Sequence, residues 1–185
     1  MPFALARVLA RNPRLHLIMP GASTPLATLG QVEAGLELAD QLPGEVDTVV
    51  AALGSGGTIV GLALGLALGG SRARVLAPLV SSPLVANRFV LAALETGTRA
   101  LLAAGGLFPG PTRIEVTHAY RGSGYGAASD AGAAATARAA AWGVPLERTY
   151  TAKAFAAVLD RWRAGRRVVF VQTYAGPVNL GNEAH

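Results

Sequence analysis

The sequence predicts an α/β fold of three layers, with helices on both faces of a mainly parallel sheet. Apolar residues make up 51% of the 185 residues and charged residues only 15%, as expected for elements covered on both faces. Short apolar runs alternate with longer helical stretches, which is typical of right-handed βαβ units. No repeat or low-complexity linker divides the sequence, so we expect a single domain over residues 1–185.

The first half of the chain predicts three strands, each followed by a helix. The predicted strands are residues 15–20, 48–53 and 74–79, and the predicted helices are residues 29–41, 58–68 and 83–104. The first helix is predicted from its helical periodicity. Acidic residues lie opposite a stripe of apolar residues, namely Leu29, Val32, Leu36 and Ala39.

The second half is less regular. Residues 113–120 alternate like a strand, and residues 121–126 form a loop rich in glycine. Ser129 or Asp130 can cap an alanine-rich helix that runs to Trp142, and a further helix spans residues 152–162. The last predicted strand is residues 166–173, because the glycine and proline that follow cannot continue a ladder.

The most informative segment is TVVAALGSGGTIVGLALGLALGG, residues 48–70. A strand ends near Leu53, and a helix starts near Thr58 after glycines that leave backbone N–H groups uncovered. These N–H groups and the positive end of the helix dipole favour an anion such as phosphate. An ordinary tight strand-to-helix turn has the same composition and stays an alternative on these residues alone.

Several other classes are disfavoured. The net charge of +5 comes from scattered arginines, with Lys153 the only lysine, and no aromatic residues interleave as on a nucleic-acid surface. The absence of cysteine excludes disulfides and thiolate catalysis. His16, His118 and His185 share no ligand spacing with acidic residues, so we expect no metal site.

Membrane insertion and secretion are also disfavoured. The uncharged residues 48–71 are interrupted by GSGG, where a spanning helix would need unbroken backbone pairing. The first sixteen residues carry arginines among their apolar positions and offer no convincing signal peptide. We therefore expect a cytoplasmic protein that binds neither membrane nor nucleic acid.

Three loops follow predicted strands: residues 20–25, 54–58 and 173–176. Ligands of open α/β sheets bind beyond the carboxyl ends of strands, so we expect these loops to converge on one crevice.

Five segments stand in a recognisable order: IMPGASTPLATLGQVEAGLELADQ, VVAALGSGGTIVGLALGL, GSGYG, RTYTAKAF and VVFVQTYAG. In this order the sequence resembles the C-terminal part of the D-cysteine desulfhydrase and 1-aminocyclopropane-1-carboxylate (ACC) deaminase family. These are pyridoxal-phosphate enzymes of fold type II, the tryptophan-synthase-beta-like fold. The resemblance therefore implies the large-domain portion of that fold, with pyridoxal 5'-phosphate as cofactor and a small amino acid as substrate.

The resemblance also implies residue roles. Gly54, Ser55, Gly56, Gly57 and Thr58 would hold the cofactor phosphate, and Tyr125 and Tyr150 would be catalytic residues facing the substrate. Without the resemblance, Tyr125 would be taken as a loop tyrosine with a satisfied hydroxyl and Tyr150 as a core aromatic.

The resemblance places Thr151 and Thr173 near the cofactor ring. The deaminase branch has glutamate at the position of Thr151, whereas desulfhydrase-like members have threonine. A hydroxyl leaves the ring less protonated, which suits α,β-elimination of thiolate to give pyruvate, ammonia and sulfide. Tyr174 and Ala175 stand where the family has two glycines, so we expect the pocket floor to differ in shape from that of the family.

The family's Schiff-base lysine lies in an N-terminal portion without counterpart here. Lys153 instead matches a family lysine that does not bear the cofactor, and we expect it on the first turn of a helix. Cofactor binding would then be non-covalent, and the chain alone a poor catalyst or none. It would be a degenerate fragment, a subunit of a split enzyme with a separate N-terminal half, or a piece with an artificial boundary.

The alternative is a non-catalytic binding or assembly module that keeps the phosphate loop. An uncovered apolar face would make such a chain self-associate, so a homo-oligomer is expected. A nicotinamide-dependent Rossmann protein is disfavoured because GSGGT lacks the spacing GxGxxG.

Overall fold

The computed structural model describes residues 20–42 and 46–173, and within them a parallel sheet forms the centre. Its strand order is β3-β2-β1-β4, and every neighbouring pair is parallel. The strands are β1 (Thr48–Val50), β2 (Arg74–Pro78), β3 (Ile114–Thr117) and β4 (Val168–Phe170). In register, Val49 of β1 lies between Val75 of β2 and Val169 of β4. The predicted parallel sheet is confirmed.

Helices cover both faces of this sheet. They are α1 (Pro25–Gln41), α2 (Gly57–Leu68), α3 (Arg88–Ala104), α4 (Asp130–Ala140) and α5 (Thr151–Arg163), and a 3₁₀ turn (Pro20–Ala22) precedes α1. Successive residues of a strand point to opposite faces. Val49 accordingly joins the apolar cluster that includes residues of α1, α2 and α3, whereas Val50 joins the cluster with α5. This is the predicted three-layer arrangement.

Helix α2 is buried from Ile59 to Leu66, and glycines let it approach α1 closely. A Cβ at Gly35 of α1 would lie 2.7 Å from the carbonyl oxygen of Leu62, and one at Gly65 of α2 would overlap the carbonyl oxygen of Val32. The two backbones therefore pack almost directly on each other, which fixes the helix that begins at the glycine loop.

Capping residues correct two predicted helix starts. Helix α1 begins at Pro25 rather than residue 29, because Thr24 accepts a hydrogen bond from the Ala27 N–H and proline suits a first turn. Helix α3 begins at Arg88 rather than residue 83, because the Asn87 side chain accepts from the N–H groups of Phe89 and Val90.

Other boundaries differ from prediction in smaller ways. All four strands are shorter than predicted, and α4 ends at Ala140 rather than Trp142. Ser129 rather than Asp130 caps α4, through a hydrogen bond from the Gly132 N–H. The predicted strand over residues 15–20 lies outside the described residues, except for Pro20 in the 3₁₀ turn.

Across residues 20–42 and 46–173, no helix combines the length and apolar character needed to cross a membrane. In the same part of the chain, His, Asp and Glu side chains form no group of three that could hold a metal ion.

Candidate active site

A cavity of about 700 Å³ opens at the carboxyl end of the sheet. Segments that follow β1, β2, β3 and β4 line it, together with the turn before α1 and the start of α1. Its lining includes Gly21, Ala22, Ser23, Gly54, Ser55, Gly56, Gly57, Thr58, Ser81, Tyr125, Tyr150 and Thr173. The three loops predicted to converge do meet here as far as they are described; residues 174–176 lie outside the described residues.

The glycine loop joins the end of β1 to the first turn of α2. Gly56 has a φ of 109°, a conformation that favours glycine, and a Cβ there would lie 2.7 Å from the Leu91 Cδ2 atom. Gly56 is also the residue before α2 and offers no side chain to cap it. The first N–H groups of α2 therefore depend on partners from elsewhere, which suits an anion.

Ser23 supplies one such partner. The Gly57 N–H donates to the Ser23 Oγ at 3.2 Å, and that Oγ lies 2.7 Å from the Oγ of Ser55. Gly21 has a φ of 67°, and a Cβ there would overlap the Ser55 Oγ. Sequence reasoning placed this turn at the crevice but did not single out Ser23. Its position in the GAST turn, among the converging loops, was the available signal.

Two tyrosines form a further part of the cavity lining. The hydroxyls of Tyr125 and Tyr150 lie 2.7 Å apart, and their rings meet edge to face with centroids 5.9 Å apart. A Cβ at Gly54 would lie 3.3 Å from the Tyr150 ring, so the tyrosine sits directly over the glycine loop. The hydrogen bond with Tyr125, followed by burial and the negative charges nearby, raises the pKa of Tyr150 to about 12.

Thr151 does not reach the cavity. Its side chain is buried, and its Oγ1 accepts from the Glu147 N–H at 2.7 Å and donates to the Glu147 carbonyl at 3.1 Å. The hydroxyl therefore stabilises the start of α5, and its predicted place near the cofactor ring stays a prediction. Thr173, by contrast, lies on the cavity lining after β4.

Lys153 lies on the first turn of α5, as predicted, and is fully buried. Its Nζ donates to the carbonyl oxygens of Arg121 at 2.8 Å and Gly124 at 2.9 Å. Burial, together with the positive charge of Arg121, lowers the pKa of this ammonium group. Lys153 thus faces the loop that carries Tyr125 rather than the cavity.

Ser81 links the loops after β1 and β2 and was not expected from the sequence. Its hydroxyl donates to the Gly54 carbonyl, and its own carbonyl accepts from the Arg121 Nε at 3.0 Å. No motif marks this serine, because its role depends on three loops meeting in space.

The cavity has the chemistry of a site for a phosphorylated organic molecule. The amino end of α2 and the hydroxyls of Ser23, Ser55 and Thr58 fit a phosphate group at one end. The two phenols provide further polar groups on the lining, and the volume is in the usual range for small-molecule sites.

Comparisons with known proteins agree with this chemistry. The family model for pyridoxal-phosphate dependent enzymes matches residues 2–173. D-cysteine desulfhydrase of Klebsiella pneumoniae (strain 342) is 31% identical over 97% of this chain and 56% of its own length. The enzyme of the same name from Salmonella newport (strain SL254) is 30% identical over the same shares.

Among solved structures, an ACC deaminase homologue superimposes with a TM-score of 0.74 at 29% identity, over 93% of this chain and 53% of that protein. The chain therefore spans about half the length of the relatives it matches. Its sheet and helices are those of a fold type II enzyme, and the cofactor of such enzymes is pyridoxal phosphate. The chain belongs to the family of pyridoxal-phosphate dependent enzymes.

Proposed function

We propose that this chain carries the phosphate-binding end and the tyrosine wall of a pyridoxal-phosphate site that acts on a small amino acid. One observation supports this most directly: the first N–H groups of α2 and the phenols of Tyr125 and Tyr150 line a single cavity. In this proposal the loop Gly54, Ser55, Gly56, Gly57 and Thr58 holds the cofactor phosphate. Ser23 and Thr173 complete the pocket around it.

The cofactor and the chain have separate tasks. Pyridoxal phosphate, when bound, supplies a conjugated ring that withdraws electrons from the substrate's α-carbon. The chain binds the phosphate at a helix end whose dipole attracts negative charge. It also orients the bound molecule, because β1 and the closely packed α1–α2 pair fix the glycine loop on both sides.

The tyrosine pair holds and donates a proton. One hydroxyl donates to the other across 2.7 Å, which uses one of the two phenolic protons and leaves the other free for a ligand. A pKa of about 12 keeps Tyr150 protonated at neutral pH. In the proposed site the pair therefore acts as a hydrogen-bond donor to the substrate, and it can return a proton after bond cleavage.

For the reaction, we propose D-cysteine desulfhydrase-like elimination that releases pyruvate, ammonia and sulfide. The support is the sequence similarity to the D-cysteine desulfhydrases named above. Thr151 adds no support, because its hydroxyl is hydrogen-bonded to the Glu147 backbone. ACC deaminase-like chemistry is the neighbouring alternative, since an ACC deaminase homologue shares the fold. The lysine that attaches the cofactor in this family would come from sequence outside the residues described, and without it we expect little activity.

Direct binding of pyridoxal phosphate tests the proposal. Gly57→Ala would bring a Cβ to within 2.9 Å of the Ser23 Oγ, at the point where the phosphate is expected. Gly30→Ala is the matched control, because no atom lies within 4 Å of a Cβ there. We expect the wild-type chain and Gly30→Ala to change the absorption spectrum of pyridoxal phosphate. Gly57→Ala should bind at least about tenfold more weakly, or about 1.4 kcal/mol.

Amide hydrogen exchange locates the binding. We expect pyridoxal phosphate to slow the exchange of the N–H groups from Gly56 to Thr58 in the wild-type chain. Equal binding by the wild type and Gly57→Ala, or protection confined to other segments, would contradict the proposed phosphate site.

A non-catalytic assembly module is the second candidate. Leu84, Leu26 and Phe89 are 90%, 70% and 69% exposed, which is high for large apolar side chains. If this role is correct, the chain should self-associate in light scattering and bind a hydrophobic dye. If the chain is a monomer that binds no hydrophobic dye but does bind pyridoxal phosphate, the assembly role is refuted and the proposed enzyme site stands.

A further inference from the structure

The buried ammonium group of Lys153 has no use in the proposed binding site, yet burying it is costly. Among the described side chains Lys153 is the largest one that is fully buried. A lysine so placed loses its hydration and must be compensated by hydrogen bonds. It receives that compensation from two carbonyl groups of one loop, those of Arg121 and Gly124.

This loop carries Tyr125. Its backbone uses conformations that only glycine adopts easily, with φ of 65° at Gly122, 156° at Gly124 and 73° at Gly126. Glycines leave the unfolded loop free to adopt many conformations, so a specific contact must select one of them. The two hydrogen bonds from Lys153 hold the segment immediately before Tyr125.

Tyr125 has little packing of its own, because it is 60% exposed. Its contacts are with Tyr150, through the hydroxyl pair and the ring edge. Tyr150 stands directly before α5, and Lys153 lies on the first turn of that helix. One helix start therefore carries both the partner of Tyr125 and the ammonium group that holds its loop.

The loop is also tied to the glycine loop. The Arg121 side chain donates to the Ser81 carbonyl, and the Ser81 hydroxyl donates to the Gly54 carbonyl. A chain of hydrogen bonds thus runs from the glycine loop through Ser81 and Arg121 to Lys153. These contacts connect the glycine loop to the loop that carries Tyr125.

We infer that Lys153 is a positioning residue, whose ammonium group holds residues 121–126 so that the Tyr125 hydroxyl meets that of Tyr150. The inference rests on the proposed function only in giving this pair a substrate to face. The geometry itself needs no cofactor, so it can be tested in the chain alone.

The test observes Tyr150 by NMR of the chain labelled with ¹³Cζ-tyrosine, without pyridoxal phosphate. Tyr125→Phe defines how far the Tyr150 resonance moves when its hydroxyl partner is lost. We expect Lys153→Met to move the Tyr150 resonance most of that distance. The double variant should move it no further than Tyr125→Phe alone.

Chemical rescue separates the ammonium group from mere packing. The chain has no cysteine, so Lys153→Cys can be alkylated uniquely in denaturant and then refolded. Aminoethylation restores an ammonium group of nearly the same length, and ethylation gives a neutral chain. We expect the aminoethylated protein to regain the wild-type Tyr150 resonance and the ethylated protein to resemble Lys153→Met.

Two further variants complete the design. Leu159→Ala removes a buried side chain from the same helix, α5, and should destabilise the protein while leaving the Tyr150 resonance in place. Gly124→Ala strains the loop without a steric contact, since no atom lies within 4 Å of a Cβ there. It should displace the Tyr150 resonance in the same direction, and it supplies the test if Lys153→Met does not fold.

The inference is overturned if the Tyr150 resonance stays in place in Lys153→Met or Gly124→Ala while Tyr125→Phe moves it. It is also overturned if Leu159→Ala moves the resonance as far as Lys153→Met does. A failure of Gly57→Ala to weaken pyridoxal phosphate binding would refute the proposed function and leave this inference standing.

Discussion

Ser23 caps a helix that begins 34 residues after it: its Oγ accepts the Gly57 N–H at 3.2 Å and lies 2.7 Å from the Oγ of Ser55. The residue before α2 is Gly56, which has no side chain to satisfy the first N–H groups. Ser23, which precedes α1, therefore acts as the N-cap side chain of α2, a role that is usually filled by the residue directly before a helix. This hydrogen bond ties the segment before α1 to the first turn of α2.

Ser23→Ala should lower the free energy of unfolding and increase the stabilisation that the protein gains from phosphate. Loss of the cap leaves the Gly57 N–H without its side-chain partner, which costs about 1 kcal/mol in the free energy of unfolding. A bound phosphate can replace the lost acceptor, so inorganic phosphate should raise the melting temperature of Ser23→Ala more than that of the wild type.

Thermal unfolding with phosphate and with chloride at equal ionic strength measures both effects. The same stabilisation of variant and wild type by phosphate would show that the anion does not bind at this amide.

Alanine at Gly35 and at Gly30 should change stability with opposite signs, although both glycines lie on α1. Gly30 is open on its outer side, so Gly30→Ala should gain up to about 1 kcal/mol from helix propensity. A Cβ at Gly35 would lie 2.7 Å from the Leu62 carbonyl, so Gly35→Ala should lose about 1–3 kcal/mol through overpacking. Urea unfolding measures both, and a stabilised Gly35→Ala would refute the close approach of α1 and α2.

The mainly parallel sheet and the glycine loop could be predicted because they depend on local pattern, whereas the strand order was not predicted. The apolar run before GSGGT and the helix after it are contiguous in sequence. The buried face of α1 was harder to predict. Leu36 was placed on the apolar stripe, yet its side chain is 39% exposed. Gly35 is buried instead, since close backbone contact with α2 decides which face points inward.

The site was predictable in part for the same reason. Their roles toward cofactor and substrate stay predictions, but the glycine loop, Tyr125, Tyr150 and Thr173 do line one cavity. Thr151 does not, because its hydroxyl satisfies the backbone of Glu147, four residues earlier. Such competition between a local hydrogen bond and the cavity is not visible in a sequence motif.

Tyr125→Phe should lower the pKa of Tyr150. The hydrogen bond with Tyr125 is the largest cause that raises this pKa to about 12, so its removal should bring the pKa back toward the ordinary value of 10.0. Titration of ¹³Cζ-labelled tyrosine reports it directly. Tyr120→Phe is the control, because Tyr120 pairs with Asp160 and not with Tyr150. An unchanged pKa in Tyr125→Phe would mean that burial alone holds the phenol protonated.

Glu147→Gln should destabilise the start of α5 in a pH-dependent way. The Glu147 carboxylate accepts the N–H groups of Thr149 at 2.6 Å and Tyr150 at 2.9 Å, next to the positive end of the helix dipole. Burial opposes its ionisation, but these hydrogen bonds and the charge of Arg148 hold the pKa of Glu147 below the ordinary value of 4.5. Because the folded protein lowers this pKa, the stabilisation is complete above pH 4.5 and is lost as the pH falls through the folded value.

Glu147→Gln should therefore lose about 0.3–1 kcal/mol of unfolding free energy at pH 7. The difference from the wild type should shrink toward pH 3. Glu37→Gln, on the exposed side of α1, removes the same charge without a cap and serves as control. Urea unfolding at both pH values measures the difference. An equal loss of unfolding free energy at pH 7 and pH 3 would contradict this prediction. The stabilisation would then depend on the shape of the side chain and not on its charge, which is neutralised in acid.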